Sequence, residues 1–360
     1  MRVISIDDLT SGMRLSQPIL SENGSILLRQ DVVLLESYIR RLKNMNIAYV
    51  YIQDAETMDI ELEETIRLPV QQQVMAEIKK VYDKMANEKN MLHFLRDGQL
   101  ARKFTELANI LYDHLRSNQT FILNMGAIYA KDAYLYKHSM NVGTLAMALG
   151  MASGFNEETI KNFGVGAMLH DIGKLKVSPA ILDKPGRLTD EERKQVELHC
   201  VFGYEMLISQ TELSATSAHC ALQHHEKFDG TGYPRGLRGD AIHEFGRLLA
   251  VPDVFDALTS NRVYRKAFLP QEAIEFLYAQ TGTHFDKRVV DLFKAHVNVY
   301  PNGLPVTLSN GTKGIVAKCN PSQLHRPVIR IMEERGRKVR PYDCDLLKQL
   351  NVVITSCGFG

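Results

Sequence analysis

The stretch Met168-Leu169-His170-Asp171-Ile172-Gly173-Lys174 sets an imidazole and a carboxylate side by side near a predicted helix end. Such a pair can point at one metal ion, or its carboxylate can bridge two. Alone it says little, because neighbouring His and Asp residues commonly cap a helix or face solvent. The other histidines give it weight: the chain has 12, and several crowd into one third of its length. His138 stands 32 residues upstream, in Tyr134-Leu135-Tyr136-Lys137-His138-Ser139. Downstream come His199, the tandem His224-His225, and Asp253 in Val251-Pro252-Asp253-Val254-Phe255-Asp256-Ala257-Leu258. These residues lie on segments with mostly helical patterning. Mixed His/Asp ligation suits first-row ions such as Fe, Mn or Zn, and a ligand set without cysteine disfavours a structural zinc. Two ions ~3.5–4 Å apart could share Asp171 and hold a hydroxide for attack on phosphorus.

Directly after the tandem pair runs HHEKFDGTGYP (224–234). Gly230, Gly232 and Pro234 impose an irregular loop between helices. The plain reading is an interhelical turn; its place behind two candidate ligands favours a loop that shapes a substrate pocket.

Taken jointly, HDIGK (170–174), His199, HHEKFDGTGYP (224–234) and DVFDALTSNRVYR (253–265) resemble the HD-GYP family of bacterial phosphodiesterases over roughly residues 120–300. The resemblance implies a helical HD-type phosphohydrolase core. It implies a metal centre that hydrolyses cyclic di-GMP to linear pGpG, often onward to GMP, with 3′3′-cGAMP preferred by some members. His138, His170, Asp171, His199, His224, His225 and Asp253 stand at the family's ligand positions. Lys174 matches a lysine that touches substrate phosphate, and Arg262 and Arg265 match basic residues that reach the dinucleotide. Gly232, Tyr233 and Pro234 form the signature loop. Members with three ions carry a glutamate four residues before the first histidine, and here that position is Tyr134. Two ions, Fe or Mn, are therefore expected, with a third left open to other groups.

The chemistry follows from charge. A phosphodiester repels a nucleophile, so cations that ionise water and neutralise the non-bridging oxygens lower the barrier. Lys174, Arg262 and Arg265 would add fixed positive charge, the arginine fork suiting bidentate phosphate contact. Against this, Lys174 can be read as a solvated lysine and the arginines as surface ion pairs. Asp171 is the expected bridging group of the catalytic set. His225, Asp256 and a metal-held water all remain candidates for protonating the leaving oxygen. Asp256 follows Asp253 by three residues on one helix face, so it can equally support a ligand. Tyr233 can stack on guanine or simply pack the loop. His93, His114, His284 and His325 fall outside the pattern, as do His219 and His243, the last read as a neighbour of a helix cap.

Outward from this centre, the chain divides by pattern. Residues 1–62 read as a small α+β module, with Asn23-Gly24 as a hairpin turn, Val32 to Leu42 helical, and Ala48 to Ile52 a strand. Residues 63–118 read as a helical connector: Val70, Val74, Ile78, Val81 and Met85 recur at helical spacing, then Leu100, Phe104, Leu107, Ile110, Leu111 and Leu115. Two amphipathic helices packed on a neighbour are the simple reading; a dimer seam or a signal relay is the rival. The catalytic segment spans 119–302. Residues 303–360 read as a small antiparallel β unit, with strands at Pro305–Leu308, Gly314–Ala317, Val328–Ile331 and Val352–Ile354. The fold class expected is thus mainly α.

Composition sets the limits. Lys+Arg 43 against Asp+Glu 42 gives a net charge of +1, so no overall field argues for DNA or membrane binding. No run reaches the ~18–20 apolar residues of a membrane span, and Asp7 and Asp8 interrupt any signal-peptide pattern. A cytoplasmic location is expected. Five scattered cysteines form neither a disulfide framework nor a zinc ribbon. Three rivals stand beside the hydrolase: a non-catalytic cyclic-dinucleotide receptor, a scaffold for a diguanylate cyclase, and an HD phosphohydrolase of dNTPs or alarmones, which the Gly-Tyr-Pro loop disfavours.

Overall fold

A computed structural model describes residues 1–21, 25–45, 47–62, 65–86, 94–95, 97–116, 128–129, 134–182, 184–260 and 267–358. The N-terminal segment supplies β1 (Arg2–Ser5), β2 (Ile19–Leu20), β3 (Ile26–Leu28), helix α1 (Glu36–Asn44) and β4 (Tyr49–Ile52). β1 pairs antiparallel with β4, and its alternation splits it between two cores: Ile4 joins Leu15, Ile39 and Val50 in the module's own core, while Val3 faces the rest of the protein. β2 and β3 pair antiparallel; the Asn23-Gly24 turn between them lies outside the described residues. The helix expected from Val32 begins only at Glu36, because Val33 is held in a bridge to Arg14.

Helices α2 (Leu68–Met85) and α3 (Gln99–Leu115) follow. Val74, Ile78, Phe104 and Leu107 are fully buried and pack in one cluster with Met147, Met168 and Met206. The stripe that reads as a dimer seam is therefore an internal face, covered by helices of the same chain. A short strand, β5 (Ile128–Tyr129), then adds parallel to β2.

Next comes α4 (Tyr134–Ala152), then α5 (Glu157–Met168), a 3-10 turn at Ile172–Lys176, α6 (Asp190–Glu197), α7 (His199–Ile208), α8 (Ala215–Gln223), α9 (Glu244–Thr259), α10 (Pro270–Ala279) and α11 (Lys287–His296). Local chemistry sets their ends. Asn156 caps α5 by accepting from the Thr159 N–H, with Glu157 and Glu158 on its positive end. Thr189 and Glu192 form a reciprocal capping box on α6, and Pro270 opens α10.

The chain closes with β6 (Pro305–Leu308), β7 (Lys313–Lys318), β8 (Val328–Glu334), β9 (Arg337–Asp345) and β10 (Ile354–Cys357), in an antiparallel sheet ordered β10-β6-β7-β8-β9. One strand carries no expectation and one expected strand needs correction. β9 carries Arg337, Lys338, Arg340 and Pro341 on an exposed edge, so it has no apolar alternation to read. The last strand starts at Ile354 because the Val353 N–H turns to the Ser309 hydroxyl. Inner residues of this sheet (Val306, Val316, Ile329) share one core with Phe255, Leu277 and Phe293 of the helices and with Val3 and Tyr51 of the N-terminal module. The fold is mainly helical, with small sheets at both ends.

Candidate metal centre

α5 ends at Met168, and His170-Asp171 fall in the turn that leads to the 3-10 segment. Gly173 lets this turn lie directly on α7: a Cβ there would run into the His199 carbonyl oxygen and the Gly203 amide. That approach is what brings residue 171 against residue 199. His138 arrives from α4, His224 and His225 from the end of α8, and Asp253 and Asp256 from α9.

Four rings are fixed by their outer nitrogens. Nδ1 of His170 donates to the Ala167 carbonyl (2.7 Å), and Nδ1 of His199 to the Val196 carbonyl (2.6 Å). Nδ1 of His224 donates to the Cys220 carbonyl (2.9 Å). His138 donates Nδ1–H to Asp256 Oδ2 (2.8 Å), whose other oxygen accepts from the Asn141 amide (2.7 Å). A carbonyl can only accept, so in His170, His199 and His224 the proton sits on Nδ1 and the Nε2 lone pair faces inward.

The inward atoms form two groups around one carboxylate. His199 Nε2 lies 3.3 Å from His224 Nε2 and 3.4 Å from Asp171 Oδ1. His138 Nε2 lies 3.3 Å from His170 Nε2 and 3.2 Å from Asp253 Oδ1, with Asp171 Oδ2 3.5 Å from His170 Nε2. His138, His170, Asp171, His199 and His224 are at most 3% exposed, and Asp253 is 7% exposed. Asp171 Oδ1 is buried with no hydrogen-bond partner. His199 Nε2, His224 Nε2 and Asp171 Oδ1 are acceptors packed against one another, the last without a partner, and they repel unless a cation lies among them. Around a tetrahedral ion with bonds of ~2.0–2.1 Å to nitrogen and oxygen, donor atoms stand ~3.3–3.4 Å apart, which is the spacing seen.

Protonation follows the same logic. Burial pushes His170, His199 and His224 below the ordinary imidazole value, and pushes His225 down to about 3. These rings are neutral, the form that binds metal. Burial opposes the charge on Asp171, yet Lys174 and the surrounding imidazoles outweigh it and hold the carboxyl well below its usual range. Asp253 is held down likewise, against burial, by His138 and its neighbours. Burial lowers His138, but the carboxylates of Asp253 and Asp256 more than reverse this and raise it to about 9.

The signature loop is built against these rings. A Cβ on Gly232 would strike the backbone of His225 to Lys227, so only glycine permits the close return. Tyr233 stacks on His225 with centroids 4.7 Å apart, and the Tyr233–Pro234 peptide is cis. Glu226, 2% exposed, accepts from the Arg235 and Leu237 amides (2.8 and 2.9 Å) and ties the loop down. Lys174, a third exposed, donates to Asp171 Oδ2 at 2.5 Å.

The structure thus gathers His138, His170, Asp171, His199, His224, His225 and Asp253, with Lys174 and the 232–234 loop at the rim. Asp256 lies behind His138. Arg262 and Arg265 lie outside the described residues. His219 and His243 stack on each other (4.6 Å), and His243 is itself the cap of α9, accepting from the Phe245 N–H. Sequence reasoning passed over Asn141, Glu226 and Cys200. The ligand set was read as free of cysteine, but buried Cys200 places Sγ 3.5 Å from His199 Nε2, grouped with His224 and His225. The one available signal was its adjacency to His199.

Helices that converge buried imidazoles and carboxylates in this way define the metal-dependent HD phosphohydrolases, and residues 122–289 match the family of the HD domain. With the Gly-Tyr-Pro loop in place, the chain belongs to the HD-GYP family. It is 34% identical over 254 residues to a cyclic di-GMP phosphodiesterase of Pseudomonas aeruginosa, covering 69% of this chain and 61% of that protein. It is 43% identical over 160 residues to the cyclic di-GMP phosphodiesterase response regulator RpfG of Xanthomonas campestris, covering 44% and 41%. A 3′3′-cGAMP-specific phosphodiesterase of Vibrio cholerae is 33% identical over 193 residues, covering 53% and 37%. The chain therefore spans less than two thirds of each of these relatives.

Proposed function

We propose that this protein hydrolyses cyclic di-GMP to linear pGpG, and onward to GMP, in the bacterial cytoplasm. The observation that carries the reading is the single carboxylate of Asp171 facing two separate groups of inward lone pairs. Two ions, Fe or Mn, fit those groups: His199, His224, His225 and Asp171 on one side, His138, His170, Asp253 and Asp171 on the other. Bound there, they would supply ionised water at neutral pH and neutralise phosphate charge. The chain's own residues do the rest. Asp256 and Asn141 hold the His138 ring with its lone pair inward, a positioning role in place of proton donation. Lys174 is exposed enough to exchange Asp171 for a substrate phosphate oxygen. Tyr233 and the Gly232–Pro234 turn wall the site against His225, and Arg262 and Arg265 are assigned to the dinucleotide phosphates through the family resemblance.

A second substrate, 3′3′-cGAMP, is favoured by the identity to the Vibrio cholerae enzyme of that specificity. It presents the same phosphodiester backbone to the same charges. The test incubates metal-loaded protein, under reducing conditions, with each dinucleotide separately and follows products by chromatography. Conversion of cyclic di-GMP, lost in Asp171→Asn, is expected; a loaded protein that leaves it intact overturns the reading, and turnover of 3′3′-cGAMP alone selects the second substrate.

A further inference from the structure

We propose that Cys200 is a ligand of the metal centre, giving one of its two positions a thiolate among three imidazoles. The inference rests on the metal-centre reading above and deepens it.

Cys200 follows His199 in the first turn of α7. Its side chain is fully buried. Sγ, His199 Nε2 and the ligand nitrogens of His224 and His225 all lie within 4.8 Å of one another. The Sγ–Nε2 separation of 3.5 Å is the distance expected across a tetrahedral ion with bonds of ~2.3 Å to sulfur and ~2.0–2.1 Å to nitrogen. An independent observation points to the same space: Asp171 Oδ1, buried and without a hydrogen-bond partner, faces His199 Nε2 at 3.4 Å and His224 Nε2 at 3.8 Å. The groups that contain His138, His170 and Asp253 include no cysteine among the described residues.

The step would be a ligand exchange: the S–H bond of Cys200 breaks, its proton leaves to solvent, and the sulfur takes the place of one water of the incoming hydrated ion, which is released. No electron is transferred, so no oxidant or reductant is required. Thiolate is a soft donor, and it shifts selectivity from Mn towards Co, Zn and Cd at this position only. The two halves of the centre would then differ in the ion they prefer.

Cobalt(II) is the probe, added to the full-length protein without substrate. The wild type is expected to show visible d–d bands together with a near-ultraviolet sulfur-to-cobalt charge-transfer band. Cys200→Ser should keep the d–d bands and lose the charge-transfer band, while Cys357→Ser, altered far from the centre, keeps both. In competition titrations, Cys200→Ser should weaken Cd(II) binding ~10–100-fold, the scale of metal-site substitutions, and leave Mn(II) within a few-fold. Wild type with d–d bands and no charge-transfer band overturns the proposal and leaves the metal centre standing. A charge-transfer band that survives in Cys200→Ser also overturns it. No cobalt spectrum in the wild type would sink the metal-centre reading itself. Cys200→Ala, monitored by circular dichroism, reports the same loss should the serine variant fail to fold.

Discussion

His170, His199 and His224 each commit an N–H to a backbone carbonyl within the turn that carries them, whereas His138 relies on a side chain, Asp256, from another helix. That difference makes His138 the ligand most open to loss by a distant substitution. Asp256→Ala removes the acceptor for its Nδ1–H and frees the ring to turn or to move its proton to Nε2. Metal affinity should fall ~10–100-fold, as is usual when the partner of a ligating histidine is removed. Chelator competition with purified protein measures it, and an unchanged affinity would show that packing alone holds the ring. The convergence of the seven His and Asp positions was legible because motif residues of those types, spaced along helical segments, stand out in the sequence. Asn141 and Cys200 stayed hidden. An amide and a thiol are ordinary helix residues until the fold shows what stands opposite them.

At the level of elements, two close approaches shape the centre, and each depends on one glycine or one buried acid. Gly173→Ala places a methyl group where the His199 carbonyl and the Gly203 amide already sit, and neither backbone atom can swing aside. The turn must lift off α7, with a stability loss of ~1–3 kcal/mol or more, typical of overpacking. Asp171 would then withdraw from His199, so urea denaturation and metal titration should both register the change. Glu226→Ala releases the Arg235 and Leu237 amides, each hydrogen bond to a charged acceptor being worth ~1.5–3 kcal/mol. The 230–238 loop should become sensitive to limited proteolysis and the Michaelis constant should rise, while metal content stays constant. Element boundaries were less legible than ligands for a related reason. The spacing from Val32 reads as helix, but Val33 pairs with Arg14 before the helix can start. β9 draws no reading as a strand because its exposed residues are basic and polar, and only its pairing with β8 makes it one. Contacts from far along the chain decided both.

Across the whole molecule, three of the four segments that look separable by pattern share one cluster: Val3 and Tyr51 from the first strands, Phe255 and Phe293 from the helices, and Val306 and Ile329 from the last sheet. The connector packs on the same helices through a second cluster. The Val3 amide donates to the Gly303 carbonyl at 2.8 Å, and Arg330 in β8 grips Asp59 at 2.5 and 2.9 Å. The N-terminal module keeps a small core of its own, but β1 serves both that core and the shared one, so neither can open without disturbing the other. Calorimetric melting should therefore show one transition for the full chain, and cutting at residue 302 should expose apolar surface on α10 and α11 and not yield a folded catalytic fragment. Metal provides the sharper test. Ions held at a hundred times their dissociation constant stabilise the folded state by ~2.7 kcal/mol. If the chain is one cooperative unit, that gain must reach β7, far from any ligand. Hydrogen exchange at Ile315 and Val316 should slow on metal addition by as much as at the helices that hold the ions. Two melting transitions, or protection confined to α4, α5, α7 and α9, would show that the terminal sheets fold on their own account.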